Sequence, residues 1–198
     1  CLIDADKQLS ASTFTEFRSQ ALDGKTGYHL MQFPHIEDNT LFNMIRQYRD
    51  TYEFIIVDCH GGDNEEQRMA LAASDIVLVP VKPRAMDFWA VSKMAQLLKK
   101  VRSLNPEKEY QAYSFLSIAD RTSNDNRETA ELLQAAQGIQ YIDSPITSRK
   151  AWATAAGLGL GITEFMDDKD DTAYADAKAV QEFENLYKHI LAATKTVA

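Results

Sequence analysis

The chain has 198 residues, of which 45% are hydrophobic and 25% charged, and its formal net charge is −8. This size and composition are ordinary for one compact globular domain, and no apolar run approaches the roughly 20 residues that a membrane-spanning helix needs. The acidic balance argues against a surface coated in basic residues for nucleic acid, although a local basic patch remains compatible with it.

Apolar runs and helical patterns alternate along the chain, which is typical of a parallel sheet with crossover helices. In chain order, strands are predicted at residues 1–3, 28–33, 54–57, 76–79, 113–118 and 139–142. Helices are predicted at residues 12–22, 38–52, 65–74, 87–104, 124–137, 148–156 and 173–193. The predicted fold class is therefore α/β: a single domain over residues 1–198, with one doubly wound, mainly parallel sheet and helices on both faces.

Two of these strands, residues 54–57 and 76–79, are continuously apolar. Such runs are expected of strands buried on both faces, so the two should be adjacent or near-adjacent in the interior of the sheet. Pro80 and Pro83 are expected to end the second of them.

Polar residues or prolines follow several strands: Asp4 and Asp6, then Asp58, residues 80–83 and the pair Asp120-Arg121. In open α/β sheets, ligands bind outside the carboxyl ends of the strands. We therefore expect these residues to converge on one edge of the sheet.

The first of these groups places two carboxylates, Asp4 and Asp6, one residue apart after a strand. Carboxylates in that position can face one site, bind a hydrated cation or position a water molecule. Taken alone, the spacing is more typical of an acidic turn after a strand.

The second group, residues 54–58, has four apolar residues and then Asp58. This is the Walker B arrangement, in which the carboxylate holds Mg²⁺ through its waters next to bound phosphates. His60 has no partner His or Cys nearby and is interpreted as a loop histidine, and Cys59 as a small packing residue.

Cys1 and Cys59 form neither a disulfide framework nor a CxxC metal pair, which favours a reduced, cytoplasmic protein. The chain opens with Cys rather than Met and runs directly into an apolar strand. Because domain termini usually lie at the surface, we expect a further segment upstream of Cys1.

Together these segments resemble the ParA/MinD family of deviant Walker P-loop ATPases, which are P-loop NTPase-like proteins of the SIMIBI type. The family's D-x-D-P-Q pattern is matched by Asp4, Asp6 and Gln8, with Lys7 where proline is usual. Its Walker B strand, which is followed by a small loop, is matched by Asp58 and the glycines after it.

Later segments carry the same resemblance. The family's P-V-x-P-like stretch at the adenine pocket is matched by Pro80, Val81 and Pro83. Its C-terminal I-x-x-R segment is matched by residues 146–149, followed by Ala151, Ala155, Gly157 and Glu164. The resemblance runs from residue 1 to about residue 190 and favours the ParA-like branch.

The chain departs from the family in one feature. The glycine-rich loop K-G-G-x-G-K-[ST], whose backbone N–H groups and lysine hold the phosphates, has no counterpart in the sequence. Residues 157–161 are rich in glycine, but they are interpreted as a flexible connection after a helix. In the family the loop precedes D-x-D, so we expect the first strand, the P-loop and the first helix to lie upstream of Cys1.

The resemblance implies roles for the matched residues. Asp6 would orient or activate the attacking water, and Asp4 would support the magnesium ion and the lysine of the phosphate loop. Asp58 would hold Mg²⁺ in its outer shell. Pro80, Val81 and Pro83 would contact the adenine of ATP, and Asp120 with Arg121 would flank the base or ribose.

The resemblance also implies partners and a location. Family members form ATP-dependent homodimers, bind DNA non-specifically in that state, and are released when a ParB-like centromere-binding partner stimulates hydrolysis. Arg149 and Lys150 are the candidates for DNA contact, with ordinary surface cations as the alternative. The predicted protein is a cytoplasmic, nucleoid-associated ATPase that partitions plasmid or chromosomal DNA without a membrane anchor.

Two other functions remain open. A MinD-like ATPase that positions the division machinery would keep the fold, but the last predicted helix lacks the Lys/Arg-rich polar face of a membrane-surface helix. A non-catalytic interaction protein that has lost nucleotide chemistry would explain the missing loop, while the retained Asp4, Asp6 and Asp58 speak against it.

Overall fold

The computed structural model describes residues 1–32, 40–104, 106, 110–120, 122–167 and 176–197. The strands are β1 Leu2–Ala5, β2 Leu30–Gln32, β3 Ile56–Cys59, β4 Ile76–Val81, β5 Gln111–Ala119, β6 Gln140–Tyr141 and β7 Ile146–Thr147. The helices are α1 Ser10–Ala21, α2 Thr40–Tyr48, α3 Glu65–Ala73, α4 Ala85–Leu104, α5 Asp125–Ala135, α6 Lys150–Gly157, α7 Ile162–Asp167 and α8 Ala177–Val197. All the strand pairs of β1–β7 are parallel, which confirms an α/β fold of parallel sheets flanked by helices.

The element boundaries differ from prediction mainly at short elements. β7 and α7 were not predicted, because two and six residues are too few to establish a period. β4 continues through Pro80 to Val81 rather than ending at the proline. Since β4 pairs with β5 on one side and with no other described strand, Pro80 can occupy it without removing a ladder hydrogen bond from a second neighbour.

The chain divides into two compact units. Unit 1 comprises Cys1–Ser74 and Ala155–Leu160, and unit 2 comprises Asp75–Thr154 and Gly161–Ala198. The prediction of one domain over residues 1–198 concerns the whole protein and stays a prediction.

Unit 1 contains a three-stranded sheet in the order β2-β1-β3. One face of this sheet packs against α2 and α3, where Ile3 and Leu41 are fully buried. The other buried members of this core are Ala5, Ile45, Ala70 and Ala73. The core therefore fixes β1 between its neighbours, with the carboxyl ends of β1 and β3 side by side.

The outer strand β3 is not buried on both faces, so the prediction for residues 54–57 is wrong on this point. Val57 packs against the core, whereas Phe54 is 44% and Ile56 64% exposed. β3 pairs with β1 on one side and, in the part of the chain that the structure describes, with no strand on the other. The continuous apolar run thus reflects a strand whose second face is left uncovered by the described residues.

The glycine-rich stretch after α6 is a packed turn of unit 1, so its interpretation as a flexible connection is wrong. Leu160 N donates to Ala155 O at 3.0 Å, and the Arg18 guanidinium donates from Nη1 to Gly159 O at 3.2 Å. Gly159 has a φ of +70°, and a Cβ placed there would lie 2.3 Å from the backbone nitrogen of Arg18. Only glycine allows this close approach between the turn and α1.

Gly159→Ala is therefore expected to lower the free energy of unfolding by about 3 kcal/mol, because an unfavourable backbone conformation and a steric overlap with backbone atoms add together. Gly24→Ala is the matched control: Gly24 lies in the same unit with a φ of +80°, and a Cβ there meets nothing within 4 Å. Urea unfolding of both variants would check this, and equal destabilisation would show that the close approach at Gly159 has no energetic consequence.

Unit 2 contains the sheet β4-β5-β6, and β7 also pairs with β5. β6 pairs with the first half of β5 and β7 with its carboxyl end, where Ala119 is opposite Thr147. Between these pairings β5 has an irregular register at Ile118, a β-branched residue with a φ of +56°. No helix among the described residues is both long enough and apolar enough to cross a bilayer.

Candidate active site

Three carboxylates lie at the carboxyl ends of β1 and β3 in unit 1. Asp4 and Asp58 are opposite each other in the parallel register, so their side chains leave the same face of the sheet. Asp6 follows the end of β1, and its Oδ2 lies 3.5 Å from the Nδ1 of His60, which follows β3. The structure thus brings Asp4, Asp6 and Asp58 to one edge of this sheet, whereas their individual roles stay predictions.

Asp4 is fully buried and anchors the beginning of α1 to the end of β1. Its Oδ2 accepts hydrogen bonds from Ser12 N at 2.8 Å and Ser12 Oγ at 2.6 Å, and its Oδ1 accepts one from Asp6 N at 3.2 Å. These donors compensate a carboxylate that water cannot reach. The sequence contains a signal for this anchor, since a small hydroxyl residue stands at the start of the predicted helix.

One of the two carboxylate oxygens of Asp6 is held by a hydrogen bond, and among the described residues the other is not. Its Oδ1 accepts a hydrogen bond from Gln8 N at 2.9 Å, and its backbone carbonyl accepts one from Leu9 N at 3.0 Å. Leu9 has a φ of +52° and tightens the turn into α1. This leaves Oδ2 directed towards His60, an arrangement in which a fixed carboxylate oxygen can orient a water molecule. Sequence reasoning did not find this contact with His60.

The pKa values of Asp58 and of its neighbour Cys59 on β3 are both raised. Partial burial raises the pKa of Asp58, and the negative charges of Asp4 and Asp6 raise it further. Burial, together with Asp58 and Asp6, raises the pKa of the Cys59 thiol to about 11, so this thiol is protonated at neutral pH and unsuited to act as a nucleophile. A bound cation would relieve the repulsion among the three carboxylates.

The donor set at this edge fits an outer-shell magnesium site rather than a cage of protein ligands. Among the described residues, no group of three or more His, Cys, Asp and Glu side chains is arranged to hold a metal ion. Mg²⁺ commonly keeps several waters and is bound through one or two carboxylates together with substrate phosphates. Asp58, as an exposed carboxylate beside Asp6, suits that limited role.

The predicted nucleotide-base residues lie in unit 2, at the carboxyl ends of the paired strands β4 and β5. Val81 and Pro83 are buried and Pro80 is exposed. The Asp120 carboxylate accepts hydrogen bonds from Thr122 N and Thr122 Oγ1, both at 3.0 Å. Arg121 lies outside the described residues, and the roles of all these residues towards a nucleotide stay predictions.

Arg149, a predicted DNA-contacting residue, forms the centre of a charged cluster in unit 2. Its side chain is 8% exposed, and it donates from Nη1 to Asp176 Oδ2 at 2.8 Å and from Nη2 to Glu182 Oε1 at 2.7 Å. Glu182 also accepts hydrogen bonds from Thr147 N at 3.0 Å and from Thr147 Oγ1. Lys150, the other predicted DNA contact, is exposed and begins α6. DNA contact by either residue stays a prediction.

Sequence reasoning missed this cluster, which we call the Arg149 cluster: Thr147, Arg149, Asp176 and Glu182. Asp176 precedes α8 and accepts hydrogen bonds from Lys178 N and Ala179 N, a capping pattern that an Asp before a helix can indicate. The pairing of Arg149 with Glu182 joins residues 33 apart in the chain and leaves no local signal.

The Arg149 cluster predicts a loss of stability in acid. Burial acts to raise the pKa of Asp176 and Glu182, but hydrogen bonds from Arg149, and to Glu182 also from Thr147, outweigh it and lower both pKa values. Carboxyls with a depressed folded pKa stabilise the fold above their unfolded pKa, and this stabilisation disappears as the pH falls through the folded value.

We therefore expect the stability advantage of the parent over Glu182→Gln to be complete above about pH 5 and to shrink steadily towards pH 3. Urea midpoints of the two proteins across this range would measure it. Glu184→Gln, on the exposed side of the same helix, should stay close to the parent throughout, because its partner Lys188 is 3.9 Å away and exposed. A constant difference between the parent and Glu182→Gln down to pH 3 would contradict the expectation.

Comparisons with known proteins agree with this architecture. A family model described as an AAA domain, AAA_31, matches residues 19–111, which include Asp58, Pro80 and Pro83 but begin after Asp6. Protein ParA of Rhizobium radiobacter is 21% identical over 154 residues, covering 77% of this chain and 68% of that protein. Two proteins of Pseudomonas putida are 26% identical over 126 residues, and the chain spans 48% of their length.

Solved structures show the same fold. A putative plasmid partition protein of Borrelia burgdorferi B31, solved bound to AMPPNP, matches with a TM-score of 0.61 and 14% identity over 95% of this chain and 86% of that one. The MinD cell division protein of Aquifex aeolicus matches with a TM-score of 0.63 and 15% identity over 96% and 83% of the two chains. The chain therefore shares the fold of these partition and MinD proteins.

Together with the sequence relatives, these matches confirm the resemblance of the chain to the ParA/MinD-type partition ATPases.

Proposed function

We propose that the chain is the larger part of an ATPase that partitions plasmid or chromosomal DNA. The observation that carries this proposal is the edge where Asp4 and Asp58 are opposite each other and Asp6 follows β1. Buried Asp4 supports the loop into α1, Asp6 has one oxygen fixed and one directed towards His60, and Asp58 is an exposed carboxylate beside them. This division suits water positioning by Asp6 and outer-shell magnesium binding by Asp58.

ATP with Mg²⁺ is the proposed ligand. When bound, the magnesium ion would neutralise phosphate charge beside Asp58. Pro80, Val81 and Pro83 would contact the adenine, and Asp120 with Arg121 would flank the base or ribose. No segment of the 198 residues matches the glycine-rich phosphate loop. We infer that the first strand, this loop and the first helix lie outside these residues, and the greater length of the sequence relatives supports this.

In the proposed cycle, ATP drives a homodimer that binds DNA non-specifically through the turn carrying Arg149 and Lys150. A ParB-like centromere-binding partner stimulates hydrolysis and releases the protein from DNA. The protein would then act in the cytoplasm in association with the nucleoid. The resemblance to partition proteins supports this proposal over a MinD-like division function, since the sequence relative ParA covers most of the chain.

The decisive experiment measures ATP binding and hydrolysis by the full-length product of the gene, with Mg²⁺, non-specific DNA and the candidate partner. Slow hydrolysis that rises with DNA and partner is expected, together with ATP-dependent DNA retention. Absence of ATP binding would favour the non-catalytic interaction protein, and hydrolysis stimulated by anionic lipid vesicles rather than DNA would favour the MinD-like alternative.

The 198-residue chain by itself provides a second measurement. We expect it to bind ATP weakly or not at all, because the phosphate loop and its lysine make most of the phosphate contacts in this class of protein. Micromolar affinity in isothermal titration calorimetry would show that the phosphates are held within these residues and would overturn the proposed location of the loop.

A further inference from the structure

The Arg149 cluster joins the end of β7, the beginning of α6 and the first turns of α8. All three nitrogens of the Arg149 guanidinium donate to carboxylates: Nη1 to Asp176, and Nε and Nη2 to Glu182. With a side chain that is 8% exposed and three of its five N–H groups bonded to carboxylates, Arg149 offers little accessible donor surface to a phosphate. Non-specific DNA binding relies on cations that are accessible to the phosphate backbone.

The same contacts determine the geometry of the turn between β7 and α6. Glu182 holds Thr147 through its backbone N–H and its hydroxyl, and Ser148 N donates to Ala119 O at the end of β5 at 2.8 Å. The turn is therefore tied to α8 on one side and to β5 on the other. Lys150 is the next residue, at the start of α6, so its position depends on this turn.

We propose that Arg149 is a positioning residue of a phosphate-binding turn: it fixes the β7–α6 turn through Glu182 and Asp176, and Lys150 makes the phosphate contact. This inference rests on the proposed DNA binding and assigns different roles to the two adjacent cations. Glu182 then contributes to DNA binding although it is an anion, because it holds the turn in place.

Glu182→Gln tests this directly. Removing an acidic charge should strengthen DNA binding if its only effect is electrostatic, whereas release of the turn should weaken it. We expect Glu182→Gln, Arg149→Met and Lys150→Gln each to lower the slope of log K against log salt by about 0.9, the value for one phosphate contact on duplex DNA. The double variant Arg149→Met/Lys150→Gln should lose no more than either single variant.

The slopes are measured on the full-length gene product with ATP and Mg²⁺, at a temperature where circular dichroism shows each variant to be folded. Glu184→Gln is the matched control, an acid-to-amide change on the exposed side of the same helix, and it should keep the parent slope. If Arg149→Met does not fold, Glu182→Gln with its control still decides the question.

An additive loss of about 1.8 in the double variant would show that Arg149 contacts a phosphate itself and would overturn the inference. Unchanged or tighter binding by folded Glu182→Gln would also overturn it. If the parent does not bind DNA, the proposed function fails, and hydrogen exchange at residues 147–151 then tests the positioning. Faster exchange there in Glu182→Gln than in Glu184→Gln supports it, and equal exchange refutes it.

Discussion

Asp6→Ala is expected to slow ATP hydrolysis by the full-length gene product about 100-fold or more while leaving nucleotide binding largely intact. A carboxylate that orients the attacking water acts in the transition state, whereas other groups hold the phosphates. The Oδ1 of Asp6 is held by Gln8 N and its Oδ2 faces His60, a geometry that suits this proposed role. Single-turnover hydrolysis and filter binding of labelled ATP would measure the two effects separately.

Asp58→Ala should fail in a different way. It removes the carboxylate proposed to support Mg²⁺, so binding of ATP should become weaker and less dependent on magnesium. The Asp6→Ala variant should accumulate as an ATP-bound form retained on DNA, whereas the Asp58→Ala variant should not reach the ATP-bound form that binds DNA. Asp50→Ala is a matched control, since Asp50 is exposed and precedes β3, at the opposite end of that strand from Asp58. Hydrolysis by Asp6→Ala at the parental rate would remove the role assigned to Asp6.

The second large effect is expected at Arg149, independently of any ligand. Arg149→Met leaves the carboxylates of Asp176 and Glu182 without their cation, in surroundings where both are largely shielded from water. Loss of one partner from a buried ionic cluster typically costs about 3–5 kcal/mol, and because the two acids are partly exposed we expect a loss of about 3 kcal/mol. For a protein of this size, that corresponds to a fall in Tm of about 6–12 °C.

Arg127→Met provides the comparison for this prediction. Arg127 is exposed on α5, and its only ion pair among the described residues is with Glu131 at 3.9 Å. Such surface pairs contribute about 0–1 kcal/mol, so the Tm should hardly change. Similar melting temperatures for Arg149→Met and Arg127→Met would mean that the Arg149 cluster contributes no more than an ordinary surface pair.

The order of the elements could be predicted because parallel strands and amphipathic helices have distinct periods. The strand at residues 113–118 was found within two residues at each end of β5, and the helix at residues 65–74 within one residue of α3. The strand at residues 54–57 was found, but its burial was not. A continuous apolar run indicates that a strand can be buried on both faces. Whether it is buried depends on which other segments pack against it.

The candidate site, like the fold, could be predicted from the sequence only in part. Asp4, Asp6 and Asp58 could be selected because they follow apolar strands, and the parallel register then brings the strand ends together. The partners of these residues could not be predicted, because the contact of Asp6 with His60 depends on how two loops pack. Arg149 was selected by its match to a motif, and its charge suggested DNA contact. Its burial between Asp176 and Glu182 depends on the folding of α8 and leaves no trace near residue 149.

The short turn Ala155–Leu160 has a consequence for synthesis of the protein. It belongs to unit 1, although residues 75–154 before it belong to unit 2. On the ribosome, α1 must therefore wait for its packing partner at Gly159 until residues 75–154 of the other unit have been translated. At typical rates of about 5–20 residues per second this delay lasts roughly 7–28 seconds, during which α1 lacks that packing partner. Nascent chains stalled before residue 155 should accordingly be cleaved by protease in α1, and those stalled with Leu160 outside the ribosomal tunnel should be protected there.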